Sequence, residues 1–226
     1  MIAVVSPHLD DGVFSCGALL AARPGSVVVT ALAGRRGVAL PPKWEGVTPW
    51  DAACGFAPGD DVIAARRAED REALSILGAS PVWLDFPDAQ YGPSPSPAAL
   101  CRALDRVVER LSPELVVLPL GLFHSDHVLV SDSALGLVRA RPRVAFHAYE
   151  DAMYRRLEGR TEEALQRVRR RGITPIPVEI SAPPDCLERK LRAVQCYRSQ
   201  LRGLATPGRL GHDDALAPER FWRLAP

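Results

Sequence analysis

The sequence predicts an α/β fold: a Rossmann-like, mostly parallel sheet flanked by helices, built as a single domain over residues 1–226. Three observations lead there. Apolar, β-branched runs recur along the chain, with the continuous hydrophobicity of strands buried on both faces rather than the alternation of half-exposed ones. Segments with helical spacing lie between them, and strands alternating with helices make a parallel sheet the natural architecture. Ionisable residues directly follow two of the runs, at the strand ends where an open parallel sheet presents its ligand-binding crevice.

In chain order, the first strand is IAVV at 2–5, followed by a helix over 13–22, and SVVVTAL at 26–32 is the second strand. Residues 34–60 are too long and too rich in Gly, Pro and Trp for a neutral connector, so they read as a candidate active-site loop. The next helix spans 60–78, with Val62, Ala65, Ala68, Leu74 and Leu77 on one stripe and Gly78 to end it. PVWLDF at 81–86, ELVVLPL at 114–120, RVAFHAY at 143–149 and IPVEI at 176–180 are the remaining strands, and 97–111, 128–139 and 184–202 the remaining helices. RRLEGRTEEALQRVRRRG at 155–172 is rich in arginine, but Glu158, Glu162 and Glu163 are interleaved, so it reads as a solvated helix face. The tail from Ala205 onward is irregular in character.

The chain is 47% hydrophobic and 24% charged with a formal net charge of +1, a balance that offers no bulk attraction to nucleic acid or to an anionic membrane. No run approaches the roughly 20 apolar residues a transmembrane helix needs, and the N-terminus lacks the features of a signal peptide, so a cytoplasmic protein is expected. Cys16, Cys54, Cys101, Cys186 and Cys196 are odd in number and contain no CxxC pair, which argues against a disulfide framework or a thiolate zinc site.

The chemistry concentrates in two clusters. After the first strand, SPHLDD brings His8, Asp10 and Asp11 to a strand end; after ELVVLPL, GLFHSDH brings His124, Asp126 and His127 to another. Either aspartate of the first cluster could simply cap a helix. Yet the chain has only five histidines, and three of them fall in these two clusters. His124 and His127, three apart, would share one side of a helical turn, with Asp126 able to bond a free imidazole nitrogen. Two imidazoles and a carboxylate suit Zn²⁺, although another divalent metal would accept the same donors. Acids and a histidine beyond the three ligands needed point to an acid/base hydrolase.

SPHLDD paired with HSDH resembles the AHPDD and HPDH motifs of the PIG-L/LmbE-like deacetylases, zinc-dependent enzymes that remove acyl groups from N-acetylglucosamine-type amines. ARRAEDREALSILGA at 65–79, WLDFPDAQY at 83–91 and KLRAVQCYRSQL at 190–201 extend the resemblance over most of the chain. It implies that His8, Asp11 and His127 bind zinc, that Asp10 is the general base, and that His124, as an imidazolium held by Asp126, stabilises the oxyanion. It also implies substrate contacts by Arg67 and Asp88, to which Arg66 is added by adjacency. The competing reading of both arginines is ordinary helix-surface pairing with Glu69, Asp70 and Glu72. Leu9 and Ser125 stand where the family has proline, Gly12 where it commonly has glutamate, and Cys196-Tyr197 where many members carry a histidine near the substrate.

Trp44, Trp50 and Trp83 could form a sugar-stacking wall or pack in core and loop. His147 lies within a strand, and GHDDAL at 211–216, with no strand before it, reads as a polar tail loop. The expected substrate is a small N-acetylated amino sugar or glycoconjugate, and homo-oligomers are compatible with the sequence. An amidase for a larger acyl group and a non-catalytic sugar-binding module stand as alternatives. Against the binding module, no GxGxxG loop follows the first strand, and two aspartates would repel phosphate.

Overall fold

The computed structural model describes residues 1–34 and 46–226. The strands are β1 (Ile2–Ser6), β2 (Val27–Thr30), β3 (Ser80–Trp83), β4 (Leu115–Pro119), β5 (Ala145–Tyr149), β6 (Thr174–Val178) and β7 (Phe221–Ala225), in one sheet of order β3-β2-β1-β4-β5-β7-β6. Every pairing is parallel except those of β7, which runs antiparallel to both of its neighbours. The helices are α1 (Asp11–Ala22), α2 (Pro49–Ala53), α3 (Val62–Leu77), α4 (Pro97–Leu111), α5 (Ser125–Ala140), α6 (Arg160–Arg170), α7 (Pro184–Val194) and α8 (Arg198–Leu204).

The uninterrupted apolar runs follow from helices covering both faces. Ala3, Val5, Val27, Val29, Val116 and Leu118 pack into the layer that holds α4, α5 and α6, while Ile2, Val4, Val28 and Val117 pack into the layer of α1, α3 and α7. Local chemistry sets the helix ends: Asp61 accepts the Ala64 N–H at the start of α3, and Gly78, at φ +71°, closes it.

The strand order reverses beside β1, because the chain adds β2 and β3 on one side and returns to place β4 on the other. The carboxyl ends of β1 and β4 therefore flank a crevice, and both polar clusters emerge there. Ser6 Oγ accepts the Gly12 N–H at 2.8 Å, pinning the turn out of β1. A Cβ at Gly12 would stand 3.1 Å from Val28 Cγ1 and 3.2 Å from Ser6, so the glutamate common in the family would have to displace packed atoms here. Beyond β4, Gly121 adopts φ +78°, and a Cβ there would meet Ser131 Cβ at 2.6 Å. Arg167 of α6 donates to the Leu120 and Gly121 carbonyls at 2.7 and 2.8 Å, clamping the loop that leads to His124. Other charges of α6 pair along a solvated face, Arg169 with Glu162 at 2.9 Å and Arg160 with Glu163 at 2.8 Å.

Three expectations are revised. The helix expected over 184–202 is two helices, since the buried Tyr197 leaves the helical path to donate its hydroxyl to Asp70 at 2.8 Å, and Glu69 accepts from Ser199 N at 2.9 Å to restart the chain as α8. The tail is not wholly irregular: its end is β7, inserted between β5 and β6. β6 itself lies at 174–178 on the sheet edge, where Pro175 and Pro177 are tolerated. Of the candidate loop at 34–60, residues 35–45, including Trp44, lie outside the described residues, and the described part holds α2.

One buried ion pair secures the helix that carries the first cluster. α1 kinks at Cys16, and Glu219 accepts the Ala18 and Leu19 N–H groups at 2.8 and 3.1 Å just beyond the kink. Lys190 of α7, 1% exposed, meets the same carboxylate at 2.8 Å. Gly17 makes room for it, because a Cβ there would lie 2.6 Å from Lys190 Cγ.

Candidate active site

The turn after β1 and the start of α5 bring five of the six cluster residues into hydrogen-bonding or ring contact. Asp11 Oδ2 accepts the His8 backbone N–H at 2.9 Å and lies 3.1 Å from His8 Nδ1 and 3.2 Å from His127 Nε2. Two imidazoles from distant strand ends thus converge on one carboxylate oxygen. Asp126 Oδ2 sits 3.1 Å from His8 Nε2 and accepts the Ala89 N–H at 3.2 Å, tying the loop after β3 to the same point. The sixth residue, Asp10, is the N-cap of α1, yet its carboxylate makes no capping bond and instead lines the adjoining cavity.

His124 is held differently from the expected arrangement. It is the N-cap of α5, and its Nδ1 accepts the Asp126 backbone N–H at 3.2 Å, so the ring proton belongs on Nε2. Burial, with His8 and His127 nearby, lowers its pKa. The Asp126 carboxylate is turned to His8, so the imidazolium held by Asp126 is replaced by a neutral imidazole held by a backbone N–H. The helix start decides this, since an N-cap acceptor must satisfy an orphan amide.

Electrostatics separate the two adjacent aspartates. Burial and the charge of Asp11 push the Asp10 carboxyl up to about 7, whereas Asp11, despite burial, is held well below the usual carboxylate range by His127 and His8. Burial works against charge on the imidazoles as well. Asp88, Asp11 and Asp126 nevertheless raise His8, and Asp11 with Asp151 raises His127 to about 9. A pocket in which carboxylates hold imidazolium cations is one where a metal cation can replace protons.

The donor set fits a divalent metal. His8, Asp11 and His127 each offer a ligand atom within 4.8 Å of the others, and His8, His124 and Asp126 form a second such trio. Donors at about 2.0–2.2 Å from a tetrahedral ion stand about 3.4 Å apart. The 3.1 and 3.2 Å separations of His8 Nδ1 and His127 Nε2 from Asp11 Oδ2 are close to that. The first trio also has outer support: Asp151 Oδ1 lies 2.6 Å from His127 Nδ1, leaving Nε2 for the ion, while its Oδ2 accepts the Gly121 and Leu122 N–H groups. Asp151 was absent from the residues expected from sequence, although it follows β5 as the clusters follow β1 and β4.

A cavity of about 720 Å³ opens beside these residues, with Asp88, Arg66 and Trp50 among its walls. Asp88 Oδ2 lies 3.7 Å from His8 Nε2. Arg66, expected to meet substrate, is buried and pairs with Asp51 of α2 at 2.9 Å while donating to Tyr91 Oη at 3.3 Å. Arg67 does not reach the cavity among the described residues: it donates to the Ala33 carbonyl at 2.8 Å and lies over the Trp83 ring. Adjacent helical residues point about 100° apart, and here Arg66 takes the cavity side. Trp83 is likewise committed, donating to Asp70 at 2.7 Å, whereas Trp50 does line the cavity. The 211–216 segment forms a short 3-10 turn over Asp213–Ala215, outside the site.

A family model described as GlcNAc-PI de-N-acetylase, PIG-L, matches residues 3–138, a span that contains both clusters. The chain belongs to the PIG-L family. Among its relatives is a 2'-N-acetylparomamine deacetylase from Streptomyces fradiae, 27% identical over 96% of this chain and 80% of the relative. A solved deacetylase of an antimicrobial pseudoaglycone is 26% identical, with a TM-score of 0.77 over 99% of this chain and 96% of that one. A triple mutant of a deacetylase of the teicoplanin biosynthetic pathway is 25% identical, with a TM-score of 0.78 over 99% and 97% of the two chains.

The positions at which the PIG-L chain departs from its family's pattern have definite places in the structure. Leu9 lines the cavity and Ser125 opens α5. Cys196 and Tyr197 occupy the break between α7 and α8, and the cavity receives Gln200 and Leu204 of α8 instead. No helix among the described residues is long and apolar enough to cross a membrane.

Proposed function

We propose that this PIG-L chain is a divalent-metal-dependent hydrolase that removes the acetyl group from an N-acetylated amino sugar carried on a glycoconjugate. The observation that carries the proposal is the convergence of His8 Nδ1 and His127 Nε2 on Asp11 Oδ2, beside an Asp10 carboxyl that titrates near neutrality. Relatives described as deacetylases support the reaction class.

His8, Asp11 and His127 would hold the ion, and Zn²⁺ is the one this donor set suits best. When bound, such an ion supplies Lewis-acid chemistry, making a water more acidic and an amide carbonyl more electrophilic. Asp10, whose carboxylate makes no capping bond and lines the cavity, takes a proton from the attacking water and returns it to the leaving amine. His124, with its proton on Nε2, donates to the carbonyl oxygen as negative charge gathers there. Asp126 and Asp151 orient His8 and His127. Asp88, on the cavity wall, accepts from a sugar hydroxyl, and Arg66 fixes that wall by holding Asp51 and Tyr91.

The test is metal analysis of the purified protein together with a free-amine assay on N-acetylglucosamine glycosides, with products identified by mass. Wild type is expected to bind one divalent ion and release acetate and amine, and His127→Ala to lose both. A protein unable to bind a divalent ion would overturn the proposal in favour of a binding module.

A further inference from the structure

One residue at the cavity mouth has no role in the chemistry above and is held in a conformation that its side chain disfavours. Phe123 has φ +57°, and with Ser112 it is one of two non-glycine residues at positive φ among the described residues. The His124 N–H donates to the Leu122 carbonyl at 2.6 Å, making Phe123 the centre of a γ-turn of the rare, strained positive-φ kind. Burial does not offset this strain, because the side chain is 56% exposed. Glycine would take a positive φ here without penalty, as Gly121 does two residues earlier.

The ring is nevertheless fixed in place. Arg160 lies over it, 5.4 Å from the centroid, and Tyr154 packs at 5.5 Å with an interplanar angle of 40°. Tyr154 in turn stacks on His124 at 6.3 Å. Phe123 thus stands one ring further out than Tyr154 from the candidate catalytic histidine, on the wall of the same cavity. Leu157 continues that wall, while Ile63, Leu204 and Leu210 face the cavity from other segments. Strained backbone that presents an apolar side chain at a ligand cavity is a feature of binding sites.

Resting on the deacetylase reading, we propose that Phe123 is a stacking platform for the aglycone, and that the substrate's amino sugar is linked to a group with an apolar, preferably aromatic, face. The sugar amide sits at His8, Asp10 and His124, and the aglycone leaves the cavity across Phe123. Selectivity for a conjugate over a simple sugar then follows from ring contact with the attached group.

The test compares the phenyl and methyl β-glycosides of N-acetylglucosamine on the zinc-loaded wild type, Phe123→Gly and Phe123→Tyr. We expect wild type to favour the phenyl glycoside in kcat/KM, Phe123→Gly to reduce that preference about tenfold, and Phe123→Tyr to retain it. The ratio cancels any general effect on His124, and glycine relieves the turn, so Phe123→Gly is expected to keep or raise the Tm. Absence of a phenyl preference in wild type, or its survival in Phe123→Gly, would overturn the proposal while methyl glycoside turnover leaves the deacetylase reading standing. Should neither glycoside release amine, that reading fails by itself, and the same comparison by calorimetric Kd still decides on Phe123. A phenyl preference in binding that only Phe123→Gly loses supports the platform; its absence, or no binding of either glycoside, overturns it.

Discussion

Asp151 and His127 are joined by a 2.6 Å contact between Oδ1 and Nδ1, both side chains almost fully buried, with the other Asp151 oxygen holding the Gly121 and Leu122 N–H groups. One carboxylate thereby fixes the ring of a candidate ligand and the loop that carries it. Asp151→Asn is expected to weaken metal affinity by about 10–100-fold. Competition with a chromophoric chelator measures it, and an unchanged affinity would remove Asp151 from the support of the site.

Metal binding should be steeply pH-dependent. With His8 raised and His127 at about 9, both imidazoles carry protons near neutrality that an incoming cation must displace. Affinity is therefore expected to rise with pH up to about 9, with protons released on binding. Calorimetry in two buffers of different ionisation enthalpy counts them, and zero release would contradict the charge arrangement described here.

Asp70 offers a separate pH test, remote from the ligands. Burial raises its carboxyl to about 6, although the Trp83 and Tyr197 hydrogen bonds act in the opposite direction. A raised folded-state pKa means that the contribution to stability is complete below the unfolded value near 4 and is lost as pH rises through about 6. The loss amounts to about 3 kcal/mol above that window. Asparagine can accept from Trp83 and donate to the Tyr197 hydroxyl, so Asp70→Asn should gain stability relative to wild type between pH 4 and pH 7. Thermal melts across that range measure the difference, and a constant difference would contradict the prediction.

The buried Lys190–Glu219 pair carries a stability prediction. Lys190→Met would leave Glu219 capping the second half of α1 without its counter-charge, and breaking a buried pair costs about 3–5 kcal/mol. Urea unfolding should show the loss, whereas a change under about 1 kcal/mol would show that the N–H caps alone suffice for Glu219.

Much of this architecture is legible in the chain itself, for identifiable reasons. β1, β2 and β4 are buried on both faces, so their sequences are continuous apolar runs, and His8, Asp10, Asp11, His124, Asp126 and His127 stand out by following two of them. Features decided by tertiary contact are hidden. The Tyr197 bond to Asp70 divides a helical pattern that is locally continuous, and FWRLA becomes a strand only because β5 and β6 leave a place for it. Asp151 obeys the same strand-end rule as the two clusters, but EDA lacks a histidine to draw attention to it. Helical geometry, rather than composition, turns Arg66 to the cavity and Arg67 away from it.

In the proposed mechanism Asp10 moves the proton at a metal site built from His8, Asp11 and His127. Its most direct test is Asp10→Asn, with metal content and amine release measured on the same preparation. Stoichiometric metal with turnover reduced by about 10²–10⁴-fold is expected. Metal retained with full turnover would contradict it.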